Sequence, residues 1–347
     1  MRSLIDFHPS PHRFFFFRRI HNNNKSTMSK YLNLIGRSLH VSEITALECS
    51  LPLLSERYGA PATFWGKITG LKRDYLIAQI QTGDVFSPCV SFASVDGGHT
   101  WKLLEEITED QAQLCDELRG VYYGDLTFEY KVRRDIPEPP PEPEVALPEA
   151  NAVLAQAKAD LKNRVDNADD EEDEEEKEEE EEEEEEEQPL PKRKKNKPKF
   201  VIVSVTENVR LHHFIRLHDA CCRLAVRGEY VLQGGAVGER NRLFVGQPLH
   251  HALKPSCYVK VAHLGKRERN AKLYGPTYNE HTDYLRPITD DAPVGVWLVK
   301  YDASQGVVGV QNLLYEGSLF WYVPGTVQHG QVYYGNGERN FDLCFTL

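Results

Sequence analysis

"GTVQHGQVYYGNGERNF", Gly325–Phe341, holds two near-matches to nucleotide-binding loops, and how they are read decides the fold of the C-terminal part of the chain. Gly325 and Gly330 have the spacing of a phosphate-cradling G-x-x-x-x-G-K-[ST] loop, but Gln331 stands where the lysine belongs and Val332 where the hydroxyl belongs. Gly335 and Gly337 open like a dinucleotide G-x-G-x-x-G, and Asn340 takes the place of the third glycine. Both loops work only between a strand and a helix, because the helix N-terminus supplies the aligned N–H groups that hold phosphate. Here Gly330 leads into a strand pattern, and Asn336–Gly337 is turn chemistry. These glycines turn a sheet, and no nucleotide or other cofactor is expected.

Working outward, "VGVWLVKY", "GVVGVQNLL", "SLFWYV", "QVYYG" and "FDLCFTL" are apolar runs separated by turns at Asp302–Gly306, Tyr315–Gly317, Pro324–Gly330 and Asn336–Asn340. Short strands at this spacing predict an antiparallel meander. Upstream, "FVIVSV" reads as a buried strand. "TENVRLHHFIRLHDACCRLAVRG" comes next as a helix with Phe214, Leu217, Cys221 and Leu224 on its apolar face and Gly228 as its stop. Nearer the N-terminus, Val41, Ile44, Leu47, Leu51 and Leu54 keep helical spacing, interrupted at Pro52. Phe64, Lys67 and Ile68, the polar turn Lys72–Asp74 and the run Tyr75–Ile80 read as a hairpin. Thr108 and Gln111 form a capping box for a helix that Gly120 would end, and "VYYGDLTFEYKV" continues as a strand region. The expected class is α+β, with antiparallel sheet predominant and a few packing helices.

Charge divides the chain further. The formal net charge is −12, yet Asp169–Glu187 alone contains 18 acidic residues and one lysine, so the remainder is slightly basic. Before this tract lies the proline-rich "DIPEPPPEPEVALPEA" and a short i+4 pattern of Val153, Ala157, Leu161 and Val165; after it come six Lys/Arg between Lys192 and Lys199. Blocks of like charge cannot collapse. The expected organisation is therefore a folded segment at 28–136, a disordered insertion at 137–199 and a second folded segment at 200–347. Residues 1–27 read as a leader ahead of a second start at Met28, with a disordered tail or an organellar presequence as alternatives. An acidic tract followed by "PKRKK" also fits a nuclear chaperone that shields basic partners through Asp169–Glu187, the rival reading of function.

The seven cysteines are odd in number and form no C-x-x-C pair, which fits a reducing compartment. No run reaches the ~18 apolar residues of a membrane helix. "RLHHFIRLHDACC" gathers His212, His213, His218, Asp219, Cys221 and Cys222, but a helix offers only His218 with Cys221 or Cys222 on one face, and two ligands do not make a metal site. His250 and His251 lie in a polar, proline-containing stretch. No G-x-S-x-G elbow, H-E-x-x-H helix or kinase motif set is present. No catalytic, metal or cofactor residues are assigned, and the chain is expected not to be an enzyme.

Three stretches together resemble the radial spoke head proteins: "FWGKITGLKRDYLIAQ" (Phe64–Gln79), "ENVRLHHFIRLHDACCRLAVRGEYVL" (Glu207–Leu232) and "LLYEGSLFWYVPGTVQHGQVYYGNGERNFDLCFTL" (Leu313–Leu347). "GVYYGDLTFEY" (Gly120–Tyr130) adds weaker support. The family commonly carries Pro-Arg-Gly after the helix; here Val226 precedes Arg227–Gly228. The resemblance implies a non-enzymatic subunit of the radial spoke head in the axoneme of motile cilia and flagella. Its partners would be other head subunits, with indirect contact to central-pair microtubule projections and no nucleic acid or membrane. Such a role asks for a stiff sheet with a contact face, and Phe320, Trp321, Tyr322, Tyr333 and Tyr334 are the candidate interface residues. Alternation sends Phe320 and Tyr322 to one face of their strand and Trp321 to the other, so one face serves the core and the other a partner, the alternative being that both faces are core. On this reading Trp321→Ala releases the subunit from the head without unfolding it.

Overall fold

The structure, a computed structural model, describes residues 31–81, 86–135, 200–233 and 237–343. The leader, the tract Asp169–Glu187, the i+4 pattern from Val153 and the last residues of the run "FDLCFTL" lie outside the described residues. In chain order the helices are α1 (Val41–Tyr58), α2 (Glu109–Glu117), α3 (Glu207–Cys222), α4 (Leu249–Ala252) and α5 (Arg267–Tyr274). The strands of the first segment are β1 (Ala62–Ile68), β2 (Tyr75–Ile80), β3 (Val90–Ser94), β4 (Lys102–Leu103) and β5 (Glu129–Asp135). Those of the second are β6 (Phe200–Thr206), β7 (Leu224–Val226), β8 (Tyr230–Gln233), β9 (Val237–Arg240), β10 (Tyr258–Leu264), β11 (Leu285–Pro287), β12 (Trp297–Asp302), β13 (Val307–Asn312), β14 (Ser318–Tyr322) and β15 (His329–Gly335). By contacts, the described residues up to 132 and from 204 onward form one compact unit, and those at 133–135 and 200–203 belong to a second.

The class is α+β with antiparallel sheet dominant. Its centre is an eight-stranded sheet in the order β12-β13-β14-β15-β1-β2-β3-β4. The C-terminal runs form the expected meander through β15, and β1–β2 is the expected hairpin. The final run adds no strand among the described residues. Instead β15 meets β1 in parallel, Gly66 opposite Tyr333 and Ile68 opposite Gly335, so the sheet is continuous across both sequence segments. A side chain at Gly66 would place its Cβ 2.2 Å from the Tyr333 carbonyl oxygen, and only glycine permits this approach. Smaller sheets of β11-β10-β7, β5-β6 and β8-β9 complete the described part.

Several local expectations shift. Helix α1 runs through Pro52, whose ring lies on the exposed side while Leu47, Leu51 and Leu54 are buried against β1–β3 neighbours such as Leu76 and Phe92. Packing of that face outweighs the proline's missing donor. The capping box at Thr108 and Gln111 is present in both directions. Helix α2 nevertheless stops at Glu117, and Gly120 gives its N–H to the Glu338 carboxylate. "VYYGDLTFEYKV" is strand only from Glu129; before that the chain lies against the β1–β2 turn, with Leu71 N–H on Tyr122 O and Lys72 N–H on Tyr123 O.

Helix α3 is rotated from the expected face. Leu211, Phe214, Ile215, His218 and Cys222 are buried, whereas Leu217 is 39% exposed. The helix ends at Cys222, not Gly228, because the chain leaves directly into β7, where Leu224 is buried as a strand residue. Val226, in place of the family's proline, uses its N–H toward the Glu229 carboxylate, a donor that proline lacks.

Candidate functional site

The five aromatic residues expected at a partner face fall almost entirely inside the chain. Phe320, Trp321, Tyr322 and Tyr333 are each no more than 2% exposed, and Tyr334 alone is half-buried. Alternation holds on β14, but both sides of the strand are covered. On one side the Trp321 ring lies 4.5 Å from the Tyr31 ring, tilted against it, and packs with Val307. On the other, Phe320 packs on Tyr258 at 5.7 Å and His329 at 5.5 Å. The Tyr322 hydroxyl accepts from Gln247 N–H at 2.6 Å. Opposite Trp321 sits Gly330, where a Cβ would lie 2.6 Å from the indole ring. The glycine that resembled part of a phosphate loop is the floor on which this indole lies. Trp321 is therefore a core residue, because the N-terminal turn at Leu32–Ile35 and its neighbour Tyr31 cap the face that the strand pattern left open.

Tyr333 joins the seam between β15, β1 and α3. Its ring lies 5.3 Å from Trp65 and Phe214 and 5.0 Å from His218. A register shift between Phe64 and Gly66 leaves Trp65 as a bulge in β1. Its indole N–H donates to Asp219 at 2.7 Å, and Gln79 donates to the other carboxylate oxygen at 2.6 Å. His218 is fully buried, with Nε2 3.0 Å from Ser318 Oγ. Burial pushes the neighbouring Cys222 thiol well above its ordinary value, which keeps it protonated and inert.

The histidine cluster disperses. His212 bonds the Glu105 carbonyl, His213 the Asp116 carboxylate at 2.8 Å, and His218 points to Ser318. Among the described residues no three His, Cys, Asp or Glu side chains converge to hold a metal. Nor, among them, is any helix long and apolar enough to cross a membrane.

Sequence reasoning missed a densely connected buried carboxylate. Glu207, at the first turn of α3, is 0% exposed. Its carboxylate accepts from Tyr75 Oη at 2.6 Å, Tyr130 Oη at 2.9 Å, Tyr123 N–H at 3.0 Å and Gly124 N–H at 2.9 Å. Burial, then the hydrogen bond to Glu207 and its charge, drives the Tyr75 phenol far above its ordinary value, so it stays a donor. One turn on, the Arg210 guanidinium lies 4.3 Å from the Tyr122 ring and 4.9 Å from Tyr130. The only sequence signal was an acidic residue at a helix start, a pattern shared by many exposed glutamates.

The arrangement is a set of polar and aromatic clamps joining two sequence segments into one sheet. Comparisons with known proteins point the same way. The sequence profile of the family described as radial spokehead-like protein matches residues 18–210. The chain is 26% identical over 313 residues to the Radial spoke head protein 9 homolog of Mus musculus, covering 90% of this chain and 94% of that one. The counterpart in Homo sapiens is 25% identical over the same length, and that of Danio rerio 26% identical over 314 residues. With a profile spanning more than half its length and similarity along nearly all of it, the chain belongs to the radial spokehead-like protein family.

Proposed function

We propose that this protein is a non-catalytic structural subunit of the axonemal radial spoke head, where it joins other head subunits and helps carry mechanical signals between the central pair and the dynein arms of motile cilia. The observation that carries this reading is similarity to Radial spoke head protein 9 homologs over 90% of the chain. The eight-stranded sheet supports it, since a continuous ladder of backbone hydrogen bonds resists deformation better than two bodies on a linker. Of the aromatic residues expected at a partner face, Tyr334 alone is only half-buried, with Arg37 and Lys67 each 5.5 Å from its ring. We assign it, rather than Trp321, as the aromatic contact to a neighbouring subunit.

A tagged copy expressed in a flagellated cell tests the assignment. The expected result is axonemal signal that co-fractionates with spoke heads, and motility loss with missing heads on depletion. Nuclear signal with co-purifying histones would overturn it in favour of the chaperone reading. Tyr334→Ala is expected to weaken recovery of the subunit with the head while leaving its thermal midpoint near that of the unchanged protein.

A further inference from the structure

The eight-stranded sheet has two very different edges. One is β4, two exposed residues long and too short to template another strand. The other is β12, whose six residues keep an unbroken register with β13 and which, among the described residues, pairs with nothing else. Just before β12, the Leu313 N–H donates to the Val296 carbonyl at 2.9 Å, which makes Val296 and Leu313 a hydrogen-bonded antiparallel pair. Backbone groups alternate along a strand, so those of Leu298, Lys300 and Asp302 face β13. Those of Trp297, Val299 and Tyr301 face outward. The devices that usually guard such an edge are sparse here: "WLVKYD" has no bulge, no proline and a single lysine.

We propose that β12 pairs with β12 of a second copy of this chain, antiparallel with Val299 opposite Val299, so that two sheets become one. The sequence is its own complement in this register. Trp297 of each copy lies opposite Tyr301 of the other, and every outward N–H and C=O of Trp297, Val299 and Tyr301 finds a partner. Trp297 and Val299 are only partly covered by the cluster around Phe320 and Tyr322, and Tyr301 is 41% exposed, so each has surface left to bury. Aromatic and β-branched cross-strand pairs are the favourable kind. Lys300 falls opposite Leu298 of the other copy. Centring the pair on Lys300 instead would oppose two cations directly. Because the second edge is too short, pairing stops at two copies and cannot propagate into a filament. The proposal stands independently of where in the cell the protein works.

Sedimentation of the purified full-length chain over a concentration series, with amide hydrogen exchange, tests it. The expected result is a reversible dimer, with the amides of Trp297, Val299 and Tyr301 protected only as the dimer forms. Val299→Pro removes an outward donor and no bond to β13. It is expected to weaken the dimer by about tenfold or more, and Val299→Lys, which sets like charges face to face, to do the same with the far-UV spectrum and melting temperature retained. A monomer at every concentration would overturn the proposal, as would a dimer unaffected by Val299→Lys. So would amides protected at all dilutions, which would mean that another part of this chain already occupies the edge.

Discussion

Glu207 shows how much a single side chain can carry in this fold. Its carboxylate gathers two tyrosine hydroxyls and two backbone N–H groups from the first sequence segment onto the first turn of α3. Removing it leaves two buried and two part-buried donors without an acceptor. Glu207→Ala is expected to cost roughly 3–5 kcal/mol in denaturant unfolding, because several donors lose their acceptor at about 1–3 kcal/mol for each one that stays buried. Tyr75→Phe removes one contact and is expected to cost about 1–2 kcal/mol. Trp321→Ala belongs with them: with the indole buried against Tyr31 and over Gly330, the substitution opens a cavity worth about 3–5 kcal/mol, and the thermal midpoint falls accordingly. An unchanged midpoint with lost assembly would restore the interface reading of this residue. The role of Glu207 was not legible beforehand, and for Trp321 the sequence left core and interface both open. A strand pattern tells that Trp321 and Phe320 face apart, but not that Tyr31, some 290 residues earlier in the chain, covers the second face.

At the scale of elements, the local signals that survived are those with short-range physics behind them. The capping box at Thr108, the Lys72–Asp74 turn and the succession of strands and turns from β12 to β15 need only neighbouring residues. The face of α3 failed because helical spacing alone admits two adjacent stripes, and the choice between them was made by Trp65 and Tyr333 on other elements. The turn joining β7 to β8 offers a measurable case. Glu229 in that turn is 1% exposed and lies 2.7 Å from His329 at the start of β15, with Arg240 at 3.4 Å. Burial opposes its charge, but His329 first and then Arg240 and the Val226 N–H outweigh that, and its carboxyl is held below the ordinary 4.5. A carboxylate so depressed adds stability that is fully present above about pH 4.5 and disappears as the pH falls through its lower folded value. Glu229→Gln is expected to lower stability at neutral pH and to flatten the acid limb of the stability curve, read by urea midpoints between neutral and strongly acidic buffers.

For the whole molecule, the parallel contact of β15 with β1 is the feature that no sequence pattern announced. Antiparallel neighbours are tied by short turns that leave a signature; a parallel pair joined through most of the chain leaves none. The insertion expected at 137–199 rests on charge and proline alone, on the ground that like-charge blocks do not collapse, and it lies outside the described residues. Replacing it with a flexible linker of about a dozen residues or more is expected to leave the thermal midpoint nearly unchanged, because closing a loop depends only weakly on its length. A large drop in the midpoint would show that the segment braces the fold.

The β1–β15 junction also dictates when the protein can fold. During synthesis the β1–β4 half emerges early and must wait, with one flank unzipped, until the ribosome has delivered His329–Gly335. Messages cut short anywhere before that strand would yield chains with an unfilled slot in mid-sheet, bound for chaperones or proteases, so even late nonsense changes should behave as complete losses.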